Sequence, residues 1–140
     1  MSHDRRYIFL LNTAQKSLRR HMEQYVERRN GISMVQAGAL FVLLKQDGAL
    51  SGDLASALDI APSAMTGLAD RMLRAGLIER RTDPTDKRIN RLWLTEQGRE
   101  AAACAQAELG PLNSTLSDGF SEVEMAVVSR WLTAVQQRFR

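Results

Sequence analysis

The chain has few of the residues that covalent cross-linking, secretion and membrane insertion require. Its 140 residues include one cysteine, Cys104, so no disulfide can close within the chain, and this usage favours a reducing compartment. The apolar run nearest the N-terminus, Tyr7 to Leu11, is too short for a signal peptide or a membrane span. We therefore expect a cytoplasmic protein with no membrane partner.

The sequence also has little that could carry catalysis or hold a metal. It shows no Ser/His/Asp set, no glycine-rich phosphate loop and no paired carboxylates on an apolar helix face. His3, His21 and Cys104 have neither the number nor the spacing of zinc ligands. We expect no catalytic residue, no metal and no cofactor, and hence no enzyme.

Aromatic residues make up only 6% of the chain and helix-forming residues dominate, which predicts a mainly α, single-domain fold with little sheet. Ser33, Ser51 and Thr95 are the predicted N-caps of three helices, and Gly110-Pro111 is predicted to end the fifth helix. Apolar periodicity and turn signals place the helices over 4–29, 34–45, 52–58, 62–74, 96–109 and 121–138.

The stretch RRTDPTDKRINRLWLT, residues 80–95, predicts most of a β-hairpin. One strand opens at Leu77, a turn covers residues 83–87, and the second strand returns over residues 88–94. Asp83 is a typical turn former ahead of Pro84. Asp86 is placed to fix the Arg88 side chain by a charge-assisted hydrogen bond.

Residues 51–74 predict a short helix, a three-residue turn at 59–61, and a second helix beginning at Pro62, where the missing N–H costs nothing. This is the helix-turn-helix arrangement, whose second helix lies in a DNA major groove. The small core between the two helices is predicted to comprise Leu54, Ala55, Leu58, Ile60, Met65, Leu68, Ala69 and Met72. The opposite face of the second helix carries Asp70 and the residues that we predict to contact DNA: Ser63, Ala64, Thr66, Gly67, Arg71 and Arg74.

The distribution of charge is more informative than the net charge of +3, which is mild. Residues 71–91 hold seven Lys/Arg against three Asp/Glu. A basic hairpin beside a helix-turn-helix fits a wing that lies against the DNA backbone or enters a narrow minor groove. The wing residues predicted to contact DNA are Arg81, Thr85, Lys87, Arg88 and Arg91, with Asp83 and Asp86 stabilising the wing.

These residues resemble a known family. LASALDIAPSAMTGLADRMLRAG (54–76) followed by LIERRTDPTDKRINRLWLTEQG (77–98) is similar to the MarR-type winged helix-turn-helix transcriptional regulators. The most specific part is DP-x-D-[KR]-R followed by L-T-x-x-G, and both are present at the right spacing. The resemblance covers nearly the whole chain. It implies a DNA-binding lobe over 49–95 and terminal regions, 4–48 and 96–140, that are mainly dimerisation helices.

The resemblance also implies a function. Such a protein binds a palindromic operator in double-stranded DNA as a homodimer and acts as a transcriptional regulator, most often a repressor. In many members a small, often aromatic, anionic ligand or thiol oxidation releases the DNA. Two other hypotheses remain open: a winged-helix module that binds a protein partner, and an architectural DNA binder without sequence preference.

Several positions carry an alternative or depart from the family pattern. Cys104 lies mid-helix among alanines without a flanking base, so a core or dimer-interface role is favoured over a redox switch. For Arg71 the alternative to DNA contact is an ion pair with a carboxylate across the wing.

Ala61 replaces a common Ser/Thr cap, a loss of ~1 kcal/mol. Gly67 replaces a larger residue and predicts weak base readout, and Ala37 replaces an aromatic residue and predicts room for a ligand.

Overall fold

The computed structural model describes residues 2–30 and 32–140, with the backbone alone for residues 25–30. The described part of the chain forms two compact units, Met1–Ala105 and Gln106–Arg140. The elements, in chain order, are α1 (Tyr7–Asn30), α2 (Met34–Lys45), β1 (Ala49–Leu50), α3 (Ser51–Leu58), α4 (Pro62–Arg74), β2 (Ile78–Thr82), β3 (Asn90–Leu94), α5 (Glu96–Ser117) and α6 (Glu122–Arg138).

Local sequence signals account for most helix boundaries. The Ser33 side chain accepts a hydrogen bond from the Gln36 N–H, while the Gln36 side chain accepts one from the Ser33 N–H, which forms a capping box at α2. Thr95 caps α5, because its Oγ1 accepts from the Gly98 N–H at 2.9 Å. The bounds of α4 agree with the prediction. The sequence also predicts that Gly31 ends the first helix, but this residue lies outside the described residues.

Two predicted helix starts in the first unit were wrong. Residues 4–6 are not helical; the Asp4 carboxylate accepts the Arg6 N–H at 2.9 Å, and α1 begins at Tyr7. Ser51 is the first helical residue of α3 and not its cap. The reason is that Leu50 is held in an extended conformation by pairing with Arg91, so the helix begins directly after the strand.

The predicted end of the fifth helix was also wrong, because α5 continues through Pro111 to Ser117. Proline removes one hydrogen bond to the carbonyl four residues earlier. That residue, Ala107, is exposed, so the freed carbonyl lies close to water. In the next turn the Ser114 and Thr115 hydroxyls donate to the carbonyls of Gly110 and Pro111.

The sheet has three antiparallel strands in the order β1-β3-β2, one more than the predicted hairpin. Strand β1 is only two residues long and pairs Ala49 with Leu92. The turn between β2 and β3 covers residues 83–89 and is longer than predicted, because Arg88 and Ile89 belong to it and not to the returning strand. The wing therefore has a broad loop at its tip.

The core of the first unit lies between α2, α3, α4 and the sheet. Helix α2, apolar nearly all round, lies at its centre, as its composition indicates. The predicted core of the helix-turn-helix is confirmed, with Leu58 and Ile60 at its partly buried margin. The largest fully buried side chains are Leu40, Leu43, Leu54, Met65, Leu68, Met72 and Leu92.

The second unit contains the C-terminal part of α5 and all of α6. Helix α6 begins at Glu122, because Ser121, the predicted first residue of the last helix, is its N-cap and forms a capping box with Glu124. Every residue of α6 is described, and none is buried within this single chain. Its exposed apolar residues include Val123, Val127, Val128, Trp131 and Leu132.

Candidate nucleic-acid interface

The helix-turn-helix is closed by a tight turn at Asp59. This residue has the left-handed conformation (φ +54°), which Asp adopts more readily than most residues. The Ile60 N–H donates to the Ala55 carbonyl at 3.1 Å, and the Asp59 N–H donates to the Ser56 carbonyl at 3.2 Å. These bonds satisfy the last carbonyls of α3 and fix the direction in which α4 leaves the turn.

Helix α4 is divided into a buried and an exposed face. Met65, Leu68, Ala69 and Met72 are buried, as the three- and four-residue spacing requires. Gly67 is partly buried, and the Arg71 guanidinium lies beside it, so that a Cβ added to Gly67 would be 3.4 Å from an Arg71 terminal nitrogen. The remaining residues that we predicted to contact DNA are exposed on the other face: Ser63, Ala64, Thr66, Arg71 and Arg74.

The first turn of α4 carries no side-chain cap. Ala61 has the extended conformation of an N-cap (φ −66°, ψ 149°), but its methyl group cannot accept a hydrogen bond. The Thr66 hydroxyl bonds to the Pro62 carbonyl at 3.2 Å and so stays close to the helix. The first amide N–H groups of α4 are therefore left for solvent or an external acceptor.

The cations of α4 are not engaged by carboxylates. Among the side chains that the structure describes, those of residues 2–24 and 32–140, neither Arg71 nor Arg74 forms an ion pair. The only side-chain hydrogen bond that Arg74 is seen to make there is a long one, 3.4 Å from its Nε to the Asp70 carbonyl. The structure therefore does not contain the alternative ion pair between Arg71 and a carboxylate across the wing.

Asp83 organises the loop at the tip of the wing. Its Oδ1 accepts hydrogen bonds from the Thr85 N–H (2.8 Å), the Thr85 hydroxyl (2.6 Å) and the Asp86 N–H (3.2 Å). Its Oδ2 accepts from Arg91 Nε at 2.6 Å. The Thr85 hydroxyl and then the Arg91 guanidinium hold the pKa of the Asp83 carboxyl well below its ordinary value. Asp83 is therefore an anion at neutral pH.

Asp86 holds Arg88 at the tip. Its Oδ1 accepts from the Arg88 backbone N–H (3.0 Å) and from Nε (3.1 Å), and its Oδ2 accepts from a terminal guanidinium nitrogen (3.2 Å). This side-chain hydrogen bond lowers the pKa of the Asp86 carboxyl. The Arg88 side chain is nevertheless 90% exposed. Lys87 beside it is exposed and, in the described part of the chain, forms no ion pair.

The two arginines nearer the base of the wing have partners within the chain. Arg81 bonds to Glu79, and its guanidinium carbon lies 5.1 Å from the centre of the Trp93 ring. Arg91 bonds to Asp83 and, through a terminal nitrogen, to the Gly48 carbonyl at 3.0 Å. The wing cations predicted from the sequence thus fall into two groups. Lys87 and Arg88 are exposed at the tip, whereas Arg81 and Arg91 are bonded to other groups nearer the base.

Sequence reasoning missed the residues that attach the wing to the rest of the first unit. The Asp47 carboxylate accepts from the Leu94 N–H at 2.9 Å and from the Arg99 guanidinium. The Thr95 hydroxyl donates to the Gly76 carbonyl at 2.6 Å. Asp47 was noticeable only as part of an Asp-Gly turn, because its partners lie about fifty residues further along the chain.

A family model described as "MarR family" matches residues 30–89, which include the helix-turn-helix and most of the wing. A crystal structure of a MarR family transcription regulator is 30% identical to this chain. It superposes with a TM-score of 0.77 and covers 95% of this chain and 90% of its own.

This chain belongs to the MarR family.

Two further relatives extend the comparison. The HTH-type transcriptional repressor MdtR of Bacillus subtilis is 37% identical over 73 residues, covering 50% of this chain and 45% of that protein. The S. aureus MepR–DNA complex has the same fold, with a TM-score of 0.83 at 23% identity over 99% of this chain and 100% of its own. The chain spans 45% of the length of MdtR and 61% of the length of a second curated relative, an HTH-type transcriptional regulator of Bacillus subtilis.

Other features of this MarR family member concern the remaining sequence hypotheses. Cys104 is a free thiol and is exposed, so the prediction of a core position was wrong and the interface alternative stays open. Among the described residues no cluster of three or more His, Cys, Asp or Glu could hold a metal ion. No helix in that part of the chain is long and apolar enough to cross a membrane.

Proposed function

We propose that this chain is a sequence-specific double-stranded DNA-binding transcriptional regulator, acting as a homodimeric repressor in the cytoplasm. One observation carries the proposal: a helix-turn-helix with a short-chained, exposed outer face is followed directly by a wing with a cationic, solvent-exposed tip. Helix α4 enters the major groove with its first amides towards a phosphate. The wing tip lies beside it against the backbone or in the minor groove.

Each exposed residue has a role in this proposal. Ser63, Ala64 and Thr66 are small and let α4 approach the base edges closely. Arg71 and Arg74 reach phosphates or bases from the C-terminal half of the helix, and the Arg71 guanidinium lies beside Gly67. Lys87 and Arg88 neutralise phosphates at the wing tip. Arg81 contributes positive charge beside them, while Thr85 is held within the loop by Asp83.

The relatives support this proposal. MepR is seen bound to DNA, a mutant MarR from E. coli is seen with operator DNA, and MdtR is named as a repressor. By analogy we assign the same type of DNA contact and the same sign of regulation to this chain. The curated relatives are named as transcriptional regulators, and we propose that this chain is no enzyme.

The homodimer is proposed from the terminal helices, with residues 49–95 as the DNA-binding lobe. At the start of α1, Ile8 and Phe9 are exposed, and on α6 Val123 and Val127 are exposed. Soluble proteins seldom leave large contiguous apolar patches in water. A second copy of the chain covers these faces in our proposal, and its two-fold symmetry places the half-sites about one helical turn apart, ~34–36 Å.

An effector site is proposed in the first unit. A cavity of about 470 Å³ opens beside Gln36, next to Ala75 and Leu77 where α4 ends. Ala37, whose small size predicted room for a ligand, is itself buried and does not line this cavity. Leu77 and Ala101 offer apolar surface and Glu100 is the ionisable carboxylate of the lining, so an aromatic ligand suits this cavity better than an anionic one.

Selection from a pool of random DNA duplexes, followed by sequencing at two salt concentrations, tests the proposed function. A recovered inverted repeat supports a sequence-specific dimer and supplies the operator for ligand titrations. Binding without a recovered motif favours the architectural hypothesis. Absence of binding at low salt favours the protein-interaction module and contradicts the proposal.

A further inference from the structure

Arg91 connects the wing loop to a point outside the wing. It lies in the central strand β3, between Leu50 of β1 and Arg81 of β2. Its Nε donates to Asp83 Oδ2 at 2.6 Å, and a terminal nitrogen donates to the Gly48 carbonyl at 3.0 Å. One guanidinium therefore joins the turn after α2 to the first residue of the wing loop.

The bonds continue from Asp83 to the exposed tip. Asp83 Oδ1 accepts from the backbone N–H groups of Thr85 and Asp86, and the Asp83 N–H donates to the Ile89 carbonyl at 2.8 Å. The Asp86 carboxylate then binds Arg88. A continuous series of hydrogen bonds thus leads from the Gly48 carbonyl to the cation at the tip.

Burial separates Arg91 from the tip cations. The Asp83 side chain is only 8% exposed and the Arg91 side chain 37%, whereas that of Arg88 is 90% exposed. For Arg91 to reach a phosphate it would have to leave Asp83, which would strand a nearly buried carboxylate without its counter-charge. A partly buried guanidinium that bridges two separate acceptors, the Asp83 carboxylate and the Gly48 carbonyl, is suited to holding the loop in one geometry.

We propose that Arg91 is a positioning residue: it orients the wing through Asp83 and Gly48, and the DNA contacts of the wing are made by Lys87 and Arg88. This proposal rests on the proposed function and revises the sequence prediction that Arg91 itself contacts DNA. The two possible roles of Arg91 predict opposite effects of losing the Asp83 carboxylate. DNA affinity falls if Arg91 positions the loop, and it rises if Arg91 binds a phosphate.

The first test needs no DNA. Amide hydrogen exchange is measured on the full-length parent protein and on the Arg91→Lys, Arg91→Ala and Asp83→Asn variants. We expect exchange at the Asp83 and Ile89 N–H groups to become roughly tenfold faster in all three variants, with α3 and α4 unchanged. Arg80→Ala, which removes an exposed arginine from β2, is the matched control and leaves the loop unchanged. Parent-like exchange in Arg91→Ala overturns the proposal.

The second test compares signs of effect on DNA affinity, with the duplex recovered by selection as the probe. Asp83→Asn keeps an oxygen that can accept the Thr85 N–H but removes the charge that holds Arg91. If Arg91 contacts DNA directly, losing this carboxylate frees a cation and raises affinity. If Arg91 positions the wing, affinity falls, and we expect a fall of roughly tenfold.

A double-mutant cycle completes the test. Arg91→Ala should weaken binding roughly tenfold in the parent but less than about twofold in a Lys87→Ala/Arg88→Ala background, because the tip it positions is then already inactive. Equal losses in both backgrounds overturn the proposal and leave the proposed function intact. A parent protein that selects no duplex contradicts the proposed function, while the exchange test still decides whether Arg91 orders the loop.

Discussion

At the scale of single residues, the wing shows why two aspartates occur on a surface proposed to face DNA. Asp83 gives its carboxylate oxygens to the loop backbone and to Arg91. Asp86 gives its oxygens to Arg88. Neither carboxylate is left unpaired, so each shapes the loop while the charge presented outward is that of Lys87 and Arg88.

Arg88→Ala should lower affinity for the selected duplex by roughly tenfold or more. The slope of log K against log salt should also fall by roughly 0.9 for each phosphate that the variant no longer neutralises. The melting temperature should change little, because the side chain is 90% exposed and exposed ion pairs contribute little to stability. Fluorescence anisotropy over a salt series measures both the affinity and the slope.

Arg140→Ala is the charge-matched control, since it removes an exposed arginine far along the chain from the wing. It should leave both affinity and slope near the parent values. Equal affinity of Arg88→Ala and the parent would remove the wing tip from the mechanism.

The stability contributed by Asp83 should depend on pH. Its folded-state pKa lies below the ordinary value of 3.8, chiefly through the Thr85 hydroxyl and Arg91. A depressed carboxyl pKa stabilises the fold at pH values above the unfolded-state pKa, and this stabilisation is lost as pH falls towards the folded-state pKa. Urea denaturation should therefore show Asp83→Asn to be less stable than the parent near about pH 6, with a smaller difference at about pH 2. A difference that stays constant would contradict this assignment.

At the scale of elements, the sequence predicts the helices and strands whose signals are local. Pro62 and Gly76 bracket α4, and its bounds could be read directly. Strand β1 could not, because two residues carry no periodicity and its partner Leu92 lies far along the chain. Pro111 was wrongly predicted to end α5, because a helix can accommodate a single proline where the freed carbonyl is exposed.

Ala61→Ser should stabilise the recognition helix. Ala61 already has N-cap geometry but no acceptor, so a hydroxyl there should add about 1 kcal/mol to the free energy of unfolding. Ala75→Ser, at the other end of α4 in the C-cap position, introduces the same side chain without a free N–H to accept from and should add nothing. Chemical denaturation measures the free energy of unfolding of both variants. Equal effects of the two substitutions would show that α4 gains nothing from a cap.

Gly48→Ala should be strongly destabilising. Gly48 has φ +80°, and a Cβ would lie 2.5 Å from Trp93 Cζ2. The left-handed backbone and the overlap with the indole together should cost roughly 2 kcal/mol or more. Gly52→Ala is the matched control, because nothing lies within 4 Å of its added Cβ in α3 and alanine favours helix by up to about 1 kcal/mol. The melting temperature should fall for Gly48→Ala and rise for Gly52→Ala. An unchanged melting temperature for Gly48→Ala would contradict the packing of Trp93 on this turn.

At the scale of the whole molecule, α6 is the feature that a single chain leaves unexplained. Its Val123 and Val127 side chains are 76% and 48% exposed, although its cap and length mark it as a well-formed helix. A helix with no buried residue gains little from packing within its own chain. The homodimer that we propose supplies the missing contacts.

Val127→Glu should therefore weaken dimerisation. It places a charge on the apolar face of α6, where a second copy is proposed to pack, and burying an unpaired charge is costly. Ala126→Glu adds the same charge on the polar face of the same helix and should leave the dimer intact. Sedimentation velocity over a concentration series separates the two, and a dimer unaffected by Val127→Glu would exclude this face from the interface.

Less of the candidate site than of the fold could be read from the sequence. The exposed face of α4 followed from helical periodicity alone, and the Asp86–Arg88 pair followed from a spacing of two residues. The role of Arg91 did not, because its partners are a carboxylate across the hairpin and a backbone carbonyl 43 residues away. Positioning contacts between distant segments leave no local pattern to recognise.

The measurement that tests the central claim most directly is the ratio of affinities for the selected duplex and for a shuffled duplex of the same composition, at one fixed salt concentration. A sequence-specific regulator should prefer the selected duplex by roughly a thousandfold or more. Inserting five base pairs between the half-sites, about half a helical turn, should abolish most of that preference because the two α4 helices would face opposite sides of the DNA. Equal affinity for the selected and shuffled duplexes would contradict the account.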